Sequence, residues 1–182
     1  NQSYSLREKA FDLDYLQILE KEILSSPYLG SSQLSDSFMG TKGFSVAFKT
    51  AGIEQVKQNF PFLQPYLQTA LKPTCNAFYL NPLIIQRGGE VEAHVDCSLS
   101  KYVEVQTIPN FVSVLYVKVP ADLEGGELVL KRSKFTIGTI QPQENTLLYF
   151  QGDLTHSVNQ VKSSQLRISL VCEQYTLVET QL

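Results

Sequence analysis

Phe111-Val112-Ser113-Val114-Leu115-Tyr116-Val117, followed by Glu124-Gly125-Gly126-Glu127-Leu128, reads as a buried strand closed by a turn. Branched and aromatic side chains suit a pleated surface, and the glycine pair ends the run. The same grammar extends in both directions. Strands are expected near residues 76–86, 90–96, 111–119, 126–132, 135–140, 145–150, 155–161 and 166–177. The breaks between them carry Gly88-Gly89, Pro109-Asn110, Gly125-Gly126, Gln141-Pro142 and Gly152-Asp153. Many short strands at even spacing indicate a sandwich or a closed barrel, and a jelly roll of about eight strands fits the count.

Before Pro73 the character differs. Asp14 is placed to cap a helix whose apolar stripe is Tyr15, Leu16, Leu19, Ile23 and Leu24, ended by Ser25-Ser26-Pro27. Residues 28–42 read as a loop and Gly43 to Lys49 as a strand. A short helix fits 52–59, and Pro61 suits the start of another that stops before Pro73. The expectation is a single, mainly β domain over 1–182. It has a helical N-terminal extension (1–75) packed on a jelly-roll core (76–177).

The composition narrows the function. The chain has 182 residues, 43% of them hydrophobic, with 15 Lys plus Arg against 18 Asp plus Glu. A net charge of −3 argues against nucleic acid as a partner, which needs a basic face to neutralise phosphates. No apolar run is long enough to span a membrane. The three cysteines, Cys75, Cys97 and Cys172, lack metal-finger spacing and are too few for a disulfide scaffold. With no leader pattern at Asn1, these point to the cytoplasm.

There are only two histidines, His94 and His156, so any site needing two imidazoles must use both. His94 and Asp96 lie two apart in an expected strand and would project from one face. His156 follows after 59 intervening residues, enough for the chain to run through several strands and return beside them. Two His and one carboxylate leave the remaining octahedral positions open, the ligand set of non-haem Fe(II) oxygenases. Polar residues on a wet strand face are the plainer alternative. Arg167 lies eleven positions after His156 and shares a strand face with Ser169, while Leu166, Ile168 and Leu170 share the other. An Arg pointing into a barrel is costly unless it meets an anion such as a carboxylate.

His94-X-Asp96, His156 and Arg167-X-Ser169 together resemble the Fe(II)- and 2-oxoglutarate-dependent dioxygenase superfamily. The strand 111–117 with its Gly-Gly-Glu-Leu turn is similar to the prolyl 4-hydroxylase-like branch, as is Pro142-Gln143-Glu144-Asn145-Thr146-Leu147-Leu148-Tyr149-Phe150 before His156. The resemblance covers residues 76–177. It implies a double-stranded β-helix, with iron on His94, Asp96 and His156. It implies 2-oxoglutarate bound to that iron, its far carboxylate on Arg167 with help from Ser169 and from the hydroxyl of Tyr116. O2 would convert 2-oxoglutarate to succinate and CO2 while the substrate gains a hydroxyl, with ascorbate as a candidate reductant. Asp96 favours hydroxylation over halogenation, because related halogenases lack that carboxylate.

Two departures stand out. The tyrosine often found ten residues before the first ligand His is replaced by Ile84, with Tyr79 a weak substitute. The anion-binding residue is Arg rather than the Lys of collagen-type enzymes. Gln86 and Arg87 sit near the expected barrel mouth, more simply as a solvated turn. Cys97 is expected to point away from Asp96, and Asp153 is ranked low. The expected substrate is a peptidyl residue, a free amino acid or a small metabolite, with residues 28–42 and 97–110 long enough to act as lids. Two competing readings use the same residues. One is a non-catalytic sensor holding metal and a dicarboxylate. The other is a zinc hydrolase or isomerase, which would leave Arg167 unexplained.

Overall fold

A computed structural model describes residues 3–31, 38–103, 106–163 and 165–178. In chain order its elements are β1 (Tyr4–Arg7), α1 (Leu13–Leu24), β2 (Gly30–Ser31), β3 (Phe38–Gly43), β4 (Val46–Lys49), α2 (Ile53–Asn59), α3 (Gln64–Ala70), β5 (Ala77–His94), β6 (Phe111–Lys118), β7 (Leu128–Arg132), β8 (Phe135–Ile140), β9 (Leu147–Gln151), β10 (Thr155–Val158) and β11 (Arg167–Tyr175). Short 3-10 turns occupy Thr50–Gly52, Pro61–Leu63 and Ser98–Lys101. The fold is mainly antiparallel β, curled as in a double-stranded β-helix, with few helices.

The neighbour order is β1-β9-β6-β11-β5-β10-β7-β8, with β3 and β4 also paired to β5. The strand β5 is the hinge of this arrangement. Its first half pairs with β11 on one side and with β4 on the other, and its end pairs with β10. The sequence suggested two strands, 76–86 and 90–96, separated by Gly88-Gly89. The structure instead runs one strand through the pair, because the glycines form an irregularity rather than a turn. Gly88 has φ +82°, and a Cβ on Gly89 would lie 2.7 Å from the Gly40 carbonyl oxygen of the neighbouring β3. The strand also ends at His94, so Asp96 lies beyond it.

Alternation along the strands separates two cores. On β6, Leu115 and Val117 face the helices, and Val112, Val114 and Tyr116 face the barrel interior. On β11, Ile168, Leu170 and Cys172 join the helix-side core. Helix α1 contributes Leu16, Leu19 and Ile23 to that core, all buried, while Leu24 is exposed. Burying each such side chain is worth about 1.5–3 kcal/mol. Asp12 rather than Asp14 holds the cap position of α1, and its side chain makes no capping hydrogen bond.

The first 75 residues are not purely helical. They supply β1, which pairs with β9, and β3 and β4, which pair with β5. The expected loop 28–42 contains β2 and part of β3, with residues 32–37 outside the described residues. The Tyr4 ring packs on Gly138, bringing the two end strands of the order together. Among the described residues no helix is long and apolar enough to cross a membrane.

Candidate active site

His94 and His156 are cross-strand partners on β5 and β10, and their ring centroids lie 4.3 Å apart. Asp96 reaches both: its Oδ1 is 3.1 Å from His94 Nε2, and its Oδ2 is 3.3 Å from His156 Nε2. One donor atom from each of the three residues falls within 4.8 Å of the others. The expectation that they converge therefore stands as geometry, although its premise was wrong. Asp96 does not share a strand face with His94; the strand ends at His94, and Asp96 brings its carboxylate from the segment beyond it.

A backbone carbonyl faces Nδ1 of each ring. His94 Nδ1 lies 2.8 Å from the Glu92 carbonyl oxygen, so its N–H is directed there and Nε2 is left for the cluster. His156 Nδ1 faces the Leu154 carbonyl oxygen at 3.5 Å. Two imidazole lone pairs then face a carboxylate at short range, which is stable only if a cation lies among them. In the metal-free chain a proton can serve. Burial opposes charge on His94, but the hydrogen bond and charge of Asp96 outweigh it and raise its pKa. Burial likewise pushes the Asp96 carboxyl up, but the imidazoles of His156 and His94 prevail and hold it well below the usual carboxylate range. A divalent ion would replace the proton, and a His-His-carboxylate donor set suits Fe(II).

The cluster borders a cavity of about 340 Å³. Arg167, Ser169, Val171 and Glu173, alternate residues of β11, line it, together with Tyr116 from β6. Arg167 is 3% exposed. Its Nη1 donates to the Gly126 carbonyl oxygen, and its guanidinium lies 5.3 Å from the Tyr116 ring centroid. Gly125 and Gly126 both have φ +75°, and a Cβ on Gly126 would sit 3.1 Å from the Arg167 side chain, so the turn needs glycine here. Arg167 Nε, Tyr116 Oη and Ser169 Oγ are buried and lack hydrogen-bond partners. Burial pulls the Arg167 pKa down, and no carboxylate forms an ion pair with it within 4 Å among the described residues. Unsatisfied donors beside a buried cation fit a carboxylate.

Other residues fall differently. Ile84 packs in the helix-side core rather than the cavity, whereas Tyr79 lines the cavity with its buried hydroxyl unpartnered. Cys97 also lines the cavity, contrary to expectation, because the strand ends before it. It is not part of the three-donor cluster. Asp153 forms an exposed ion pair with Arg132, at 3.1 Å. Arg87 is exposed, and neither it nor Gln86 lines the cavity. Cys97 and Ser98 bring the start of the 97–110 segment to the cavity wall, with residues 104 and 105 outside the described residues.

Glu173 was not singled out by the sequence. It is 5% exposed and accepts hydrogen bonds from Ser98 N (3.0 Å), Ser98 Oγ (2.6 Å) and the Tyr175 hydroxyl. Burial and the charge of Asp96 push its carboxyl up to about 7, against the lowering effect of those donors. A charged residue in an expected strand reads as solvent-facing, and only its parity with Arg167 and Ser169 signalled otherwise.

No curated protein matches the chain significantly in sequence. Solved structures do resemble it in fold. A prolyl-4-hydroxylase from Pseudomonas putida aligns with TM-score 0.65 and 14% identity, over 97% of this chain and 94% of that one. A prolyl hydroxylase from Trichoplax adhaerens, solved with a hypoxia inducible factor oxygen degradation domain peptide fragment, aligns with TM-score 0.62 and 13% identity, over 95% and 83%. A viral collagen prolyl hydroxylase from Paramecium Bursaria Chlorella virus-1, in a 2OG complex, gives 0.58 and 14%, over 97% and 98%. The family model described as the 2OG-Fe(II) oxygenase superfamily matches residues 78–172, from the start of β5 into β11. That span exceeds half of the chain and encloses both histidines, Asp96 and Arg167; the chain belongs to the 2OG-Fe(II) oxygenase superfamily and is a dioxygenase, an oxidoreductase.

Proposed function

We propose that the chain is a 2-oxoglutarate-dependent hydroxylase in which His94, Asp96 and His156 hold Fe(II) and Arg167 anchors 2-oxoglutarate, with Ser169 and Tyr116 beside it. The observation behind this reading is the meeting of three donor atoms within 4.8 Å on the wall of the cavity that also holds Arg167. Iron, when bound with O2, supplies the oxidising chemistry that couples decarboxylation of 2-oxoglutarate to hydroxylation of a C–H bond.

The chain's own residues do the rest. The Glu92 carbonyl keeps the Nδ1 proton of His94 away from the metal position. Asp96 stays ionised and offsets part of the metal charge. The guanidinium of Arg167, held by Gly126, offers its remaining N–H groups to a carboxylate, and the free hydroxyls of Ser169 and Tyr116 can add hydrogen bonds. Leu83, Val112, Val114, Leu128 and Val158 line the cavity and keep water from the reacting groups.

The substrate in this reading is a peptidyl residue of the prolyl type, a free amino acid or a small metabolite; the prolyl hydroxylases among the structural neighbours support the first. Ascorbate is the proposed reductant for restoring Fe(II). The three free cysteines support a reducing, cytoplasmic setting. The test is succinate release from 2-oxoglutarate by purified protein with Fe(II), ascorbate and O2. Substrate-independent release by the parent and background release by His94→Ala are expected. Equal turnover in the two proteins would rule the proposal out.

A further inference from the structure

Glu173 stands on the same strand face as Arg167, six residues further along β11. At about 3.4 Å per residue that is roughly 20 Å, so the two charges mark opposite ends of the site. Glu173 is tied to Ser98 beside the metal-ligand segment, through the Ser98 amide and hydroxyl, and to Tyr175. These contacts hold the carboxylate in one orientation at the cavity wall. Across the β5–β11 pairing its partner is Tyr79, whose hydroxyl is buried, unpartnered and also on the cavity wall.

Hydrogen bonds do not neutralise this group. No Lys, Arg or His among the described residues forms an ion pair with Glu173 within 4 Å. The exposed Lys101 has its amino group over the Tyr79 ring, 5.5 Å from the centroid, without reaching Glu173. A buried carboxylate lacking a cation is costly, so a cationic group arriving from outside would be bound there to advantage. The charges of the loaded site point the same way. Fe(II), Asp96, Arg167 and the dianion of 2-oxoglutarate cancel, so Glu173, once ionised, is the uncompensated charge that a cation would balance. Its negative charge also disfavours 2-oxoglutarate at this end and leaves that anion to Arg167.

We infer that Glu173 selects the substrate by taking the side-chain cation, an ammonium or guanidinium group, of the molecule to be hydroxylated, with the Tyr79 hydroxyl as a second contact. This deepens the function proposed above and rests on it. The substrate class is a molecule with a basic side chain: a basic amino acid, free or within a peptide.

The test is calorimetric binding to protein loaded with Fe(II) and 2-oxoglutarate without O2, using matched probes. L-lysine is compared with L-norleucine, and L-arginine with L-citrulline. Each pair differs in the side-chain cation. The parent is expected to prefer the cationic member of at least one pair by about tenfold or more, the scale of one exposed-to-buried charge contact. Glu173→Gln is expected to reduce that preference to within about twofold. Glu173→Met, close in size, is the second variant if Glu173→Gln does not fold, and the probe pairs on the parent decide charge selection without any variant. Equal binding within both pairs, or no binding of any probe, overturns the inference. A preference that persists without Glu173 overturns its assignment to this residue. Loss of 2-oxoglutarate binding and succinate release in the parent would instead count against the function proposed above, so the two failures are distinguishable.

Discussion

The two ends of the cavity solve opposite problems. At the metal end, three donors already face one another, and the backbone carbonyl of Glu92 fixes the ring that ends β5. At the Arg167 end, a cation is held by one carbonyl while its own Nε and the hydroxyls of Ser169 and Tyr116 go unused. One end is closed upon itself and needs a cation. The other is open and needs an anion. The difference teaches that each end is prepared for a ligand of the opposite charge, and that they can be damaged separately.

The largest effect should come from breaking the closed end. His156→Ala removes one of three donors and is expected to weaken Fe(II) binding by more than about 100-fold, beyond what loss of an outer-shell partner costs. Isothermal calorimetry with Fe(II) under nitrogen measures it, and unchanged affinity would show that the histidine is not a ligand. Next is the open end. Arg167→Ala is expected to raise the Kd for 2-oxoglutarate roughly 100-fold, as loss of a buried charge-assisted pair does. Its effect on Fe(II) affinity should be far smaller. Equal loss of both would merge the two ends into one unit.

The smallest effect is graded by pH. Fe(II) must displace the proton that Asp96 stabilises on His94, whose pKa is raised. Affinity should therefore fall by up to about tenfold per pH unit as acid takes the medium below that raised value. Arg167 keeps its proton throughout this range, so its own contribution to anchoring 2-oxoglutarate should not titrate. In the metal-free chain the signs differ. The contribution of His94 to stability is complete below its unfolded pKa and is lost as pH rises through the raised folded value. That of Asp96 is present above its unfolded pKa and is lost as pH falls through the depressed one. Metal-free protein is thus favoured between these limits, and thermal melts with and without Fe(II) should diverge as pH increases.

Period-two patterning made the barrel legible. Leu166, Ile168 and Leu170 on one side and Arg167 and Ser169 on the other predicted correctly which residues of β11 meet the cavity. Having only two histidines made the pair inevitable for any two-imidazole site. What was hidden has physical causes. Glycine marks a turn and a bulge alike, so Gly88-Gly89 looked like a break in what is one strand. Tyr4–Arg7 is short and largely exposed, with no apolar alternation to reveal it, because its partner strand supplies the pairing. Counting ten residues back from His94 reached Ile84, on the helix side, while Tyr79 faces the cavity. Glu173 was masked because burial of a carboxylate depends on neighbours, here Ser98 and Tyr175, that sequence spacing does not bring together.

The length of β5 has a mechanical corollary. One eighteen-residue ribbon begins at Ala77, sets Phe78 and Leu80 against the helices, and finishes at a donor, His94. An ion clamped at its tip restrains fraying along the ribbon, so loading should slow amide exchange well beyond the coordination sphere, toward Phe78 and Leu80. Helices remote from the chemistry would thereby sense whether the far tip is occupied.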